Sequence, residues 1–294
     1  MRRAGDVFSL LKARNVDQPS GSVQEATQAI VEVSVALVCA QPYMSPLLRL
    51  ANAAVSAARN AADFQGTFRS AEEAALRFIE DAQRAAHASA LHAANLIRDG
   101  LTILTHSRSS TVLEAFFEAQ HAGREFSIIV TESRPMLEGR SLGESLAGKG
   151  IRVTLIADAA ASLLMDQVDL VLVGADRVTP EHLVNKIGTR MIALAARESG
   201  LPVYAVCDSS KFNSAGYCGR LKRHERSSSE LWPNAPRGID IVNRYFEPVP
   251  LAHFKAIITE AGALSIDEAS RRAEAASIDK ALVDAVQRLR VEIR

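Results

Sequence analysis

Apolar residues recur at helical spacing through the first hundred residues, as Ala26, Ile30, Val33 and Leu37 do on one face. Prolines at positions 42 and 46 interrupt this pattern, because two prolines four residues apart cannot both lie inside a helix. Helices are accordingly predicted over Val23–Ala40, Leu47–Ala62 and an Ala-rich stretch that ends at Gly100. We therefore predict an N-terminal helical domain over residues 1–99.

From residue 101 short β-branched runs alternate with amphipathic stretches, at the spacing of βα units rather than hairpins. The runs are almost wholly apolar, which is typical of strands buried on both faces of a parallel sheet. Strands are predicted over Leu101–Thr105, Phe126–Thr131, Arg152–Ala157, Leu170–Gly174 and Pro202–Cys207. Helices are predicted over Thr111–Ala122, Lys186–Ser199 and Asp279–Arg294, and a long surface loop over Ser214–Arg237. Residues 100–294 are therefore predicted to form an α/β domain with a mainly parallel sheet.

The charge balance excludes some functions. Lys and Arg number 34, as do Asp and Glu, so the chain lacks the basic excess of proteins that bind nucleic acid through bulk charge. No signal-peptide core is present, and no stretch reaches membrane-spanning length without a charge. Cys39, Cys207 and Cys218 are far apart and are interpreted as free thiols, with no metal site. We expect a cytoplasmic protein that contacts neither membrane nor nucleic acid.

Polar residues follow every predicted strand. In open parallel sheets ligands bind beyond the carboxyl ends of the strands, at the point where the strand order reverses. Each group alone could be a helix N-cap or a turn, but five such ends at one edge indicate a ligand site. The segments concerned are Thr105–Ser110, Glu132–Pro135, Asp158, Gly174–Arg177 and Asp208–Lys211.

The helix starts at this edge indicate a phosphate group as the ligand. Ser107–Thr111 opens a predicted helix, whose free N–H groups and positive dipole end attract anions. Residues 185–189 are also predicted to begin a helix. The side chains predicted to contact phosphate are Lys186, Thr189, Arg108 and Arg134. Because the chain contains neither GxxxxGK[ST] nor a GxGxxG after its first strand, no P-loop and no dinucleotide cofactor are predicted.

Asp176 is the carboxylate best placed for proton transfer, since it lies two residues after a predicted buried strand. An N-cap or an ion pair with Arg177 would explain the same aspartate, and the sequence alone leaves both open.

Several of these segments resemble one superfamily in unchanged order over roughly residues 40–265. They are ILTHSRSSTVLEA (103–115), VTESRPMLEGRSL (130–142), VDLVLVGADRV (168–178), VNKIGTRMIALAA (184–196) and NRYFEPVP…IITEAG (243–262). The superfamily comprises the α, β and δ subunits of translation initiation factor 2B, ribose-1,5-bisphosphate isomerase and methylthioribose-1-phosphate isomerase. The resemblance implies a helical domain joined to a Rossmann-like domain, and assembly into homodimers or larger homo-oligomers.

The resemblance also implies roles for individual residues. The isomerases use a cysteine and an aspartate, and the aspartate matches Asp176. Their phosphate-gripping Asn–Lys pair matches Asn185 and Lys186, whereas the cysteine position holds Ser107, as in initiation-factor subunits. A second departure is the segment Tyr43–Leu47, which stands where the isomerases have an Arg-Gly-Ala loop.

Ser107 weakens the case for catalysis, because an alkyl hydroxyl cannot exchange protons at neutral pH without an adjacent base. His106 should point to the opposite face of its strand, and Cys207 is not expected to replace the missing thiol. The preferred hypothesis is a regulatory or weakly catalytic protein that binds a phosphorylated sugar or nucleotide. The alternatives are an aldose–ketose isomerase of a pentose phosphate, with Asp176 and Ser107 as catalytic residues, and a structural subunit with an empty pocket.

Overall fold

The structure is a computed structural model that describes residues 2–15, 21–214 and 226–292. Cys218 and much of the predicted Ser214–Arg237 loop lie outside these residues. The N-terminal part consists of helices α1 (Arg2–Asn15), α2 (Val23–Ala40), α3 (Ser45–Arg59) and α4 (Phe64–Ala94). A capping box of Ser22 and Glu25 begins α2, and Asp63 caps α4. The predicted start of α3 was two residues late, because Pro46 fits the first turn of a helix.

The apolar faces of these helices form one core, which the C-terminal helix α9 (Lys280–Glu292) joins through Leu282 and Val286. In the described part of the chain, α2 is the one helix long and apolar enough to cross a membrane. Its buried residues, which include Ile30 and Val35, nevertheless pack into this helical core. The predicted domain boundary at residue 99 stays a prediction. The C-terminal helix α9 packs against the N-terminal helices, so the helical core contains residues from both ends of the chain.

The second part is built on a seven-stranded sheet. Its strands are β1 (Thr102–Thr105), β2 (Ser127–Thr131), β3 (Arg152–Ile156), β4 (Leu170–Gly174), β7 (Val203–Val206), β9 (Ala256–Thr259) and β10 (Gly262–Leu264). They lie in the order β10-β9-β7-β4-β1-β2-β3, and all neighbours are parallel except β9 and β10. The flanking helices are α5 (Ser110–His121), α6 (Glu138–Ala147), α7 (Thr189–Glu198) and α8 (Ile266–Ala275). The predicted α/β fold is thus confirmed. The strand order reverses between β1 and β4, which places the predicted binding edge there.

The five predicted strands are present within two residues at each end, but β3 is not buried on both faces. It lies at the edge of the sheet, and its Leu155 is exposed. An edge strand has a neighbour on one side only, so its apolar composition does not guarantee burial.

A small antiparallel sheet, which the sequence analysis did not predict, stands beside the main one. It has the order β5-β6-β8 and consists of β5 (Arg177–Val178), β6 (His182–Lys186) and β8 (Phe246–Pro250). The prediction that a helix begins at Asn185 was therefore wrong. Asn185 and Lys186 pair with β8, and α7 begins only after Gly188, whose φ of 104° breaks the strand.

Candidate functional site

A cavity of about 230 Å³ lies at the reversal in strand order, where the ends of β1, β4 and β7 meet. Met44 at the start of α3 also lines it, so the helical part of the chain forms one wall. The predicted site residues that line this cavity are Ser107, Arg108, Asp176 and Asn185. Of these, Ser107, Arg108 and Asp176 follow predicted strands, so the strand-end rule selected residues that are up to 69 positions apart in the sequence.

Ser107 occupies the turn between β1 and α5 in a left-handed conformation, with a φ of 65°. Its backbone N–H donates to the Oγ of Ser133 at 2.8 Å. Within the described residues its own hydroxyl has no hydrogen-bond partner, so no base is placed to take its proton. Ser109 caps α5 by accepting from the N–H of Val112, and the first turn of that helix lines the cavity.

The imidazole of His106 contacts residues other than Ser107, although His106 also lines the cavity. Its Nε2 lies 2.7 Å from the carbonyl oxygen of Ile187, and its Nδ1 lies 2.5 Å from the Oγ1 of Thr131. Burial lowers the pKa of this imidazole. A neutral ring that donates from Nε2 to the carbonyl satisfies both contacts, so His106 is a packed structural histidine.

Asp176 brings a carboxylate into the cavity at the end of β4. Its backbone is fixed, since its N–H donates to Val184 and its carbonyl accepts from the N–H of Ser45. No described side chain donates a hydrogen bond to its carboxylate. Burial raises the pKa of Asp176, and the nearby positive charges, of which Lys211 acts most strongly, oppose that rise. A carboxyl group with a raised pKa is suited to exchanging a proton near neutral pH.

Asn185 lines the cavity, whereas its neighbour Thr189 is turned into the structure. The Asn185 amide donates to the Oγ1 of Thr189 at 2.9 Å, and that hydroxyl donates to the carbonyl oxygen of Lys186 at 2.7 Å. The backbone N–H groups at the start of α7 are not free to bind an anion, because they already donate to a side chain. The Glu247 carboxylate accepts from the N–H groups of Gly188 and Arg190 at 2.8 and 2.9 Å.

Lys186 is 2% exposed at its side chain and does not line the cavity. Its Nζ lies 2.8 Å from the Oε1 of Glu138, at the start of α6, and 4.9 Å from the centroid of the Tyr245 ring. This ammonium is therefore already neutralised by a carboxylate and covered by an aromatic ring.

The two predicted arginines differ in their surroundings. Arg108 lines the cavity, and its Nη1 donates to the backbone and side-chain oxygens of Ser141 and to the Oγ of Ser145. Arg134 is exposed and outside the cavity lining, and its backbone N–H donates to the Asp158 carboxylate.

Lys211 and Cys207 also line the cavity, although neither was among the predicted site residues. Both follow β7, and Lys211 belongs to a strand-end segment that the sequence analysis had identified. Burial raises the pKa of the Cys207 thiol, which stays protonated at neutral pH. Within the described residues, no three His, Cys, Asp or Glu side chains come together as a metal site.

Comparison with known proteins identifies the family. A model of the initiation factor 2 subunit family matches residues 6–266. The chain belongs to the initiation factor 2 subunit family. A ribose 1,5-bisphosphate isomerase of Methanocaldococcus jannaschii is 37% identical over 194 residues, which are 65% of this chain and 63% of that protein. A 5-deoxyribose 1-phosphate isomerase of Moorella thermoacetica is 36% identical over 59% of this chain and 54% of its own length. The chain thus matches less than two thirds of either relative.

A solved structure supports the same placement within the initiation factor 2 subunit family. Translation initiation factor eIF-2B of Pyrococcus horikoshii OT3 superposes with a TM-score of 0.75 at 29% identity. The match covers 89% of this chain and 88% of the other. The predicted resemblance and the predicted order of helical and α/β parts are therefore confirmed.

Proposed function

We propose that this chain binds a small phosphorylated sugar in the cavity at the ends of β1, β4 and β7. The observation that carries the proposal is the meeting of Asp176 and Asn185 with the cationic side chains of Arg108 and Lys211 in one cavity. A carboxylate and an amide suit the hydroxyl groups of a sugar, and the cations suit its phosphate. The isomerases among the relatives are named for ribose 1,5-bisphosphate and 5-deoxyribose 1-phosphate, which supports a pentose phosphate over a nucleotide.

The role of this binding is proposed to be regulatory or weakly catalytic. Ser107 occupies the position at which the resemblance implies a catalytic cysteine. Within the described residues, no base contacts its hydroxyl. Cys207 does not supply the missing group, because its thiol is buried and protonated. General acid–base groups contribute roughly 10²- to 10⁴-fold in rate, so a site with one of two such groups is a slow catalyst.

Aldose–ketose isomerisation is the second candidate, and the raised pKa of Asp176 favours it. In this reaction a base takes a proton from the carbon beside the carbonyl and returns one to the former carbonyl carbon. The hydroxyl proton moves to the carbonyl oxygen, so atoms and electrons balance without an oxidant. Asp176 would carry the carbon-bound proton, and the oxygen-bound proton would pass through Ser107 or water.

Thermal unfolding in the presence of pentose phosphates tests the binding proposal. A ligand at 100 times its Kd adds about 2.7 kcal/mol to the free energy of unfolding, which is readily measured. Ribose 1,5-bisphosphate and ribose 5-phosphate should stabilise the protein, and unphosphorylated ribose is the matched control. If no sugar phosphate raises the melting temperature, the chain is a structural subunit with an empty pocket.

NMR of a bound sugar phosphate separates the two roles. A regulatory protein leaves the aldose unchanged over hours, whereas an isomerase produces the ketose and loses this activity in Asp176→Asn. Ser107→Cys restores a thiol at the same turn and should raise any such activity by roughly 10²-fold or more. A homo-oligomeric state and a cytoplasmic location remain predictions. Light scattering measures the molar mass in solution and so tests the predicted homo-oligomer.

A further inference from the structure

Ser45, the first residue of α3, is fully buried and forms hydrogen bonds with three residues of the α/β part of the chain. Its backbone N–H donates to the carbonyl oxygen of Asp176 at 3.3 Å. Its Oγ accepts from the Nε of Arg177 at 3.1 Å and from the side-chain amide of Asn213. One residue of the helical part therefore contacts both the backbone of Asp176 and the side chain of its neighbour.

The position of Ser45 in its helix explains why its N–H can reach Asp176. Backbone N–H groups in the first turn of a helix have no partner within that helix. Ser45 begins α3, and the next residue, Pro46, has no N–H to offer. The donor of Ser45 is therefore directed to a group outside the helix, and that group is the carbonyl of Asp176.

The Oγ of Ser45 joins two segments that follow neighbouring strands of the main sheet. Arg177 lies three residues after β4, and Asn213 follows the short 3₁₀ turn Ser209–Lys211 after β7. The backbone N–H of Asn213 also donates to the carbonyl oxygen of Val178 at 2.9 Å. These contacts fix the two segments relative to each other and to the start of α3, beside the cavity.

Burial makes the contacts of Ser45 difficult to replace. Arg177 is 1% exposed and Asn213 is fully buried, so water cannot take over as the acceptor if the Ser45 hydroxyl is removed. The Nη2 of Arg177 also donates to the carbonyl oxygen of Pro42, which ties the corner before α3 to the same guanidinium. Ser45 does not itself line the cavity, so any effect on a ligand passes through Asp176.

We propose that Ser45 is a positioning residue, which holds the Asp176 carboxylate in the cavity by fixing its backbone and the two segments beside it. The inference rests on the proposed function, in which Asp176 contacts the sugar, and adds to it the residue that orients this carboxylate. The helical part of the chain then does more than form a wall of the cavity, because it sets the geometry of a group at the site.

The titration of the Asp176 carboxyl group tests the inference without any ligand. NMR of the side-chain carboxyl carbon, assigned with Asp176→Asn, measures its pKa. Ser45→Ala removes the acceptor of Arg177 and Asn213 and keeps the backbone N–H. A carboxylate that is held less firmly reaches water, so the raised pKa of Asp176 should fall towards the ordinary value of about 3.9. Binding of ribose 5-phosphate, measured by calorimetry, should weaken by about fivefold or more.

Two control variants separate positioning from a general loss of stability. Ser34→Ala makes the same change at a buried serine of α2, whose hydroxyl has no hydrogen-bond partner in the described part of the chain. Ala54→Gly lowers the melting temperature through α3 itself, because glycine is a poor helix former. Neither variant should shift the pKa of Asp176, and both should keep the affinity for ribose 5-phosphate within about twofold.

Asn213→Ala provides a second variant if Ser45→Ala does not fold, since it removes one of the two donors to the same Oγ. The pKa of Asp176 should fall in this variant too. A pKa equal to that of the wild type in the folded variants would overturn the inference, even where the melting temperature is lower. If the pKa falls as expected but the wild type binds no sugar phosphate, the proposed function fails and the positioning role of Ser45 stands.

Discussion

The backbone N–H of Ser107 donates to the side-chain oxygen of Ser133 at 2.8 Å, and both residues have left-handed backbones, with φ of 65° and 64°. A left-handed conformation costs a residue with a Cβ about 1–2 kcal/mol, so these turns persist only where other contacts hold them. Ser133 is fully buried, and its hydroxyl also donates to the carbonyl of Thr131. The turn that presents Ser107 to the cavity therefore depends on its neighbour after β2.

Ser133→Ala should lower the free energy of unfolding by about 1–3 kcal/mol, because it leaves the half-buried N–H of Ser107 and its left-handed turn without their acceptor. It should also weaken sugar-phosphate binding, although Ser133 does not line the cavity. Urea unfolding and calorimetry measure the two effects. Ser162→Ala removes an exposed serine hydroxyl and should change stability by less than about 0.5 kcal/mol. Equal stability of the two variants would contradict the assigned role of Ser133.

Asp176→Asn should become more stable relative to the wild type as the pH rises from 4 to 8. The pKa of an aspartate side chain in an unfolded chain is about 3.9, and burial raises the pKa of Asp176 in the folded protein. Between those two pKa values the folded chain binds more protons than the unfolded chain, so wild-type stability falls as the pH rises. Asparagine has no charge to desolvate and escapes this loss.

Thermal melts of both proteins across this pH range check the prediction. The exposed Asp240 provides the control, since Asp240→Asn should show no such trend relative to the wild type. A stability difference for Asp176→Asn that does not grow with pH would show that the carboxylate is not penalised by burial.

Gly174→Ala should destabilise the protein by about 1–3 kcal/mol and reduce binding, through overpacking at the cavity. A Cβ at position 174 would lie 2.6 Å from the Cβ of Ser109, so the end of β4 approaches the start of α5 too closely for a side chain. Chemical denaturation with calorimetry measures both effects. Gly143→Ala is the matched control, because its Cβ would meet only Val153, at 3.7 Å, and alanine favours the helix there. Gly174→Ala that unfolds like the wild type would contradict the close approach.

Arg177→Lys should cost about 2–4 kcal/mol, although it keeps the charge. Arg177 is 1% exposed, and its guanidinium donates to the Oγ of Ser45 at 3.1 Å and to the carbonyl of Pro42 at 2.5 Å. Lysine cannot reproduce this forked contact, which joins the start of α3 to the residue beside Asp176. Arg190→Lys, at an exposed position, provides the control. An unchanged Tm in both variants would contradict the structural role of the Arg177 contact.

The strands and part of the candidate site could be predicted from the sequence because their signals are local. Apolar runs between polar breaks predicted β1, β2, β4 and β7. Ser107 and Asp176, each the second residue after its strand, both line the cavity. A parallel strand delivers the residue at its carboxyl end to a known edge of the sheet, so no long-range information was needed.

Residues 185–189 show where local signals fail. Their composition is typical of a helix start, yet Asn185 pairs with Glu247 and Lys186 with Phe246, some sixty positions away. The hydrogen bonds of that pairing outweigh the local preference, and they place Asn185 in the cavity while Lys186 is directed to Glu138.

By itself the sequence determined the family and the α/β fold, and it identified Ser107 and Asp176 as residues at one edge of the sheet. The order of motifs and the ends of strands can be recognised from local sequence alone. Only the tertiary structure decided which cation stands at the cavity. The sequence predicted Lys186 as a phosphate contact, but in the structure Glu138 neutralises Lys186, whereas Lys211 lines the cavity and has no ion-pair partner among the described residues. The charge that a ligand meets depends on pairing across the fold, and pairing is a property of three-dimensional distance.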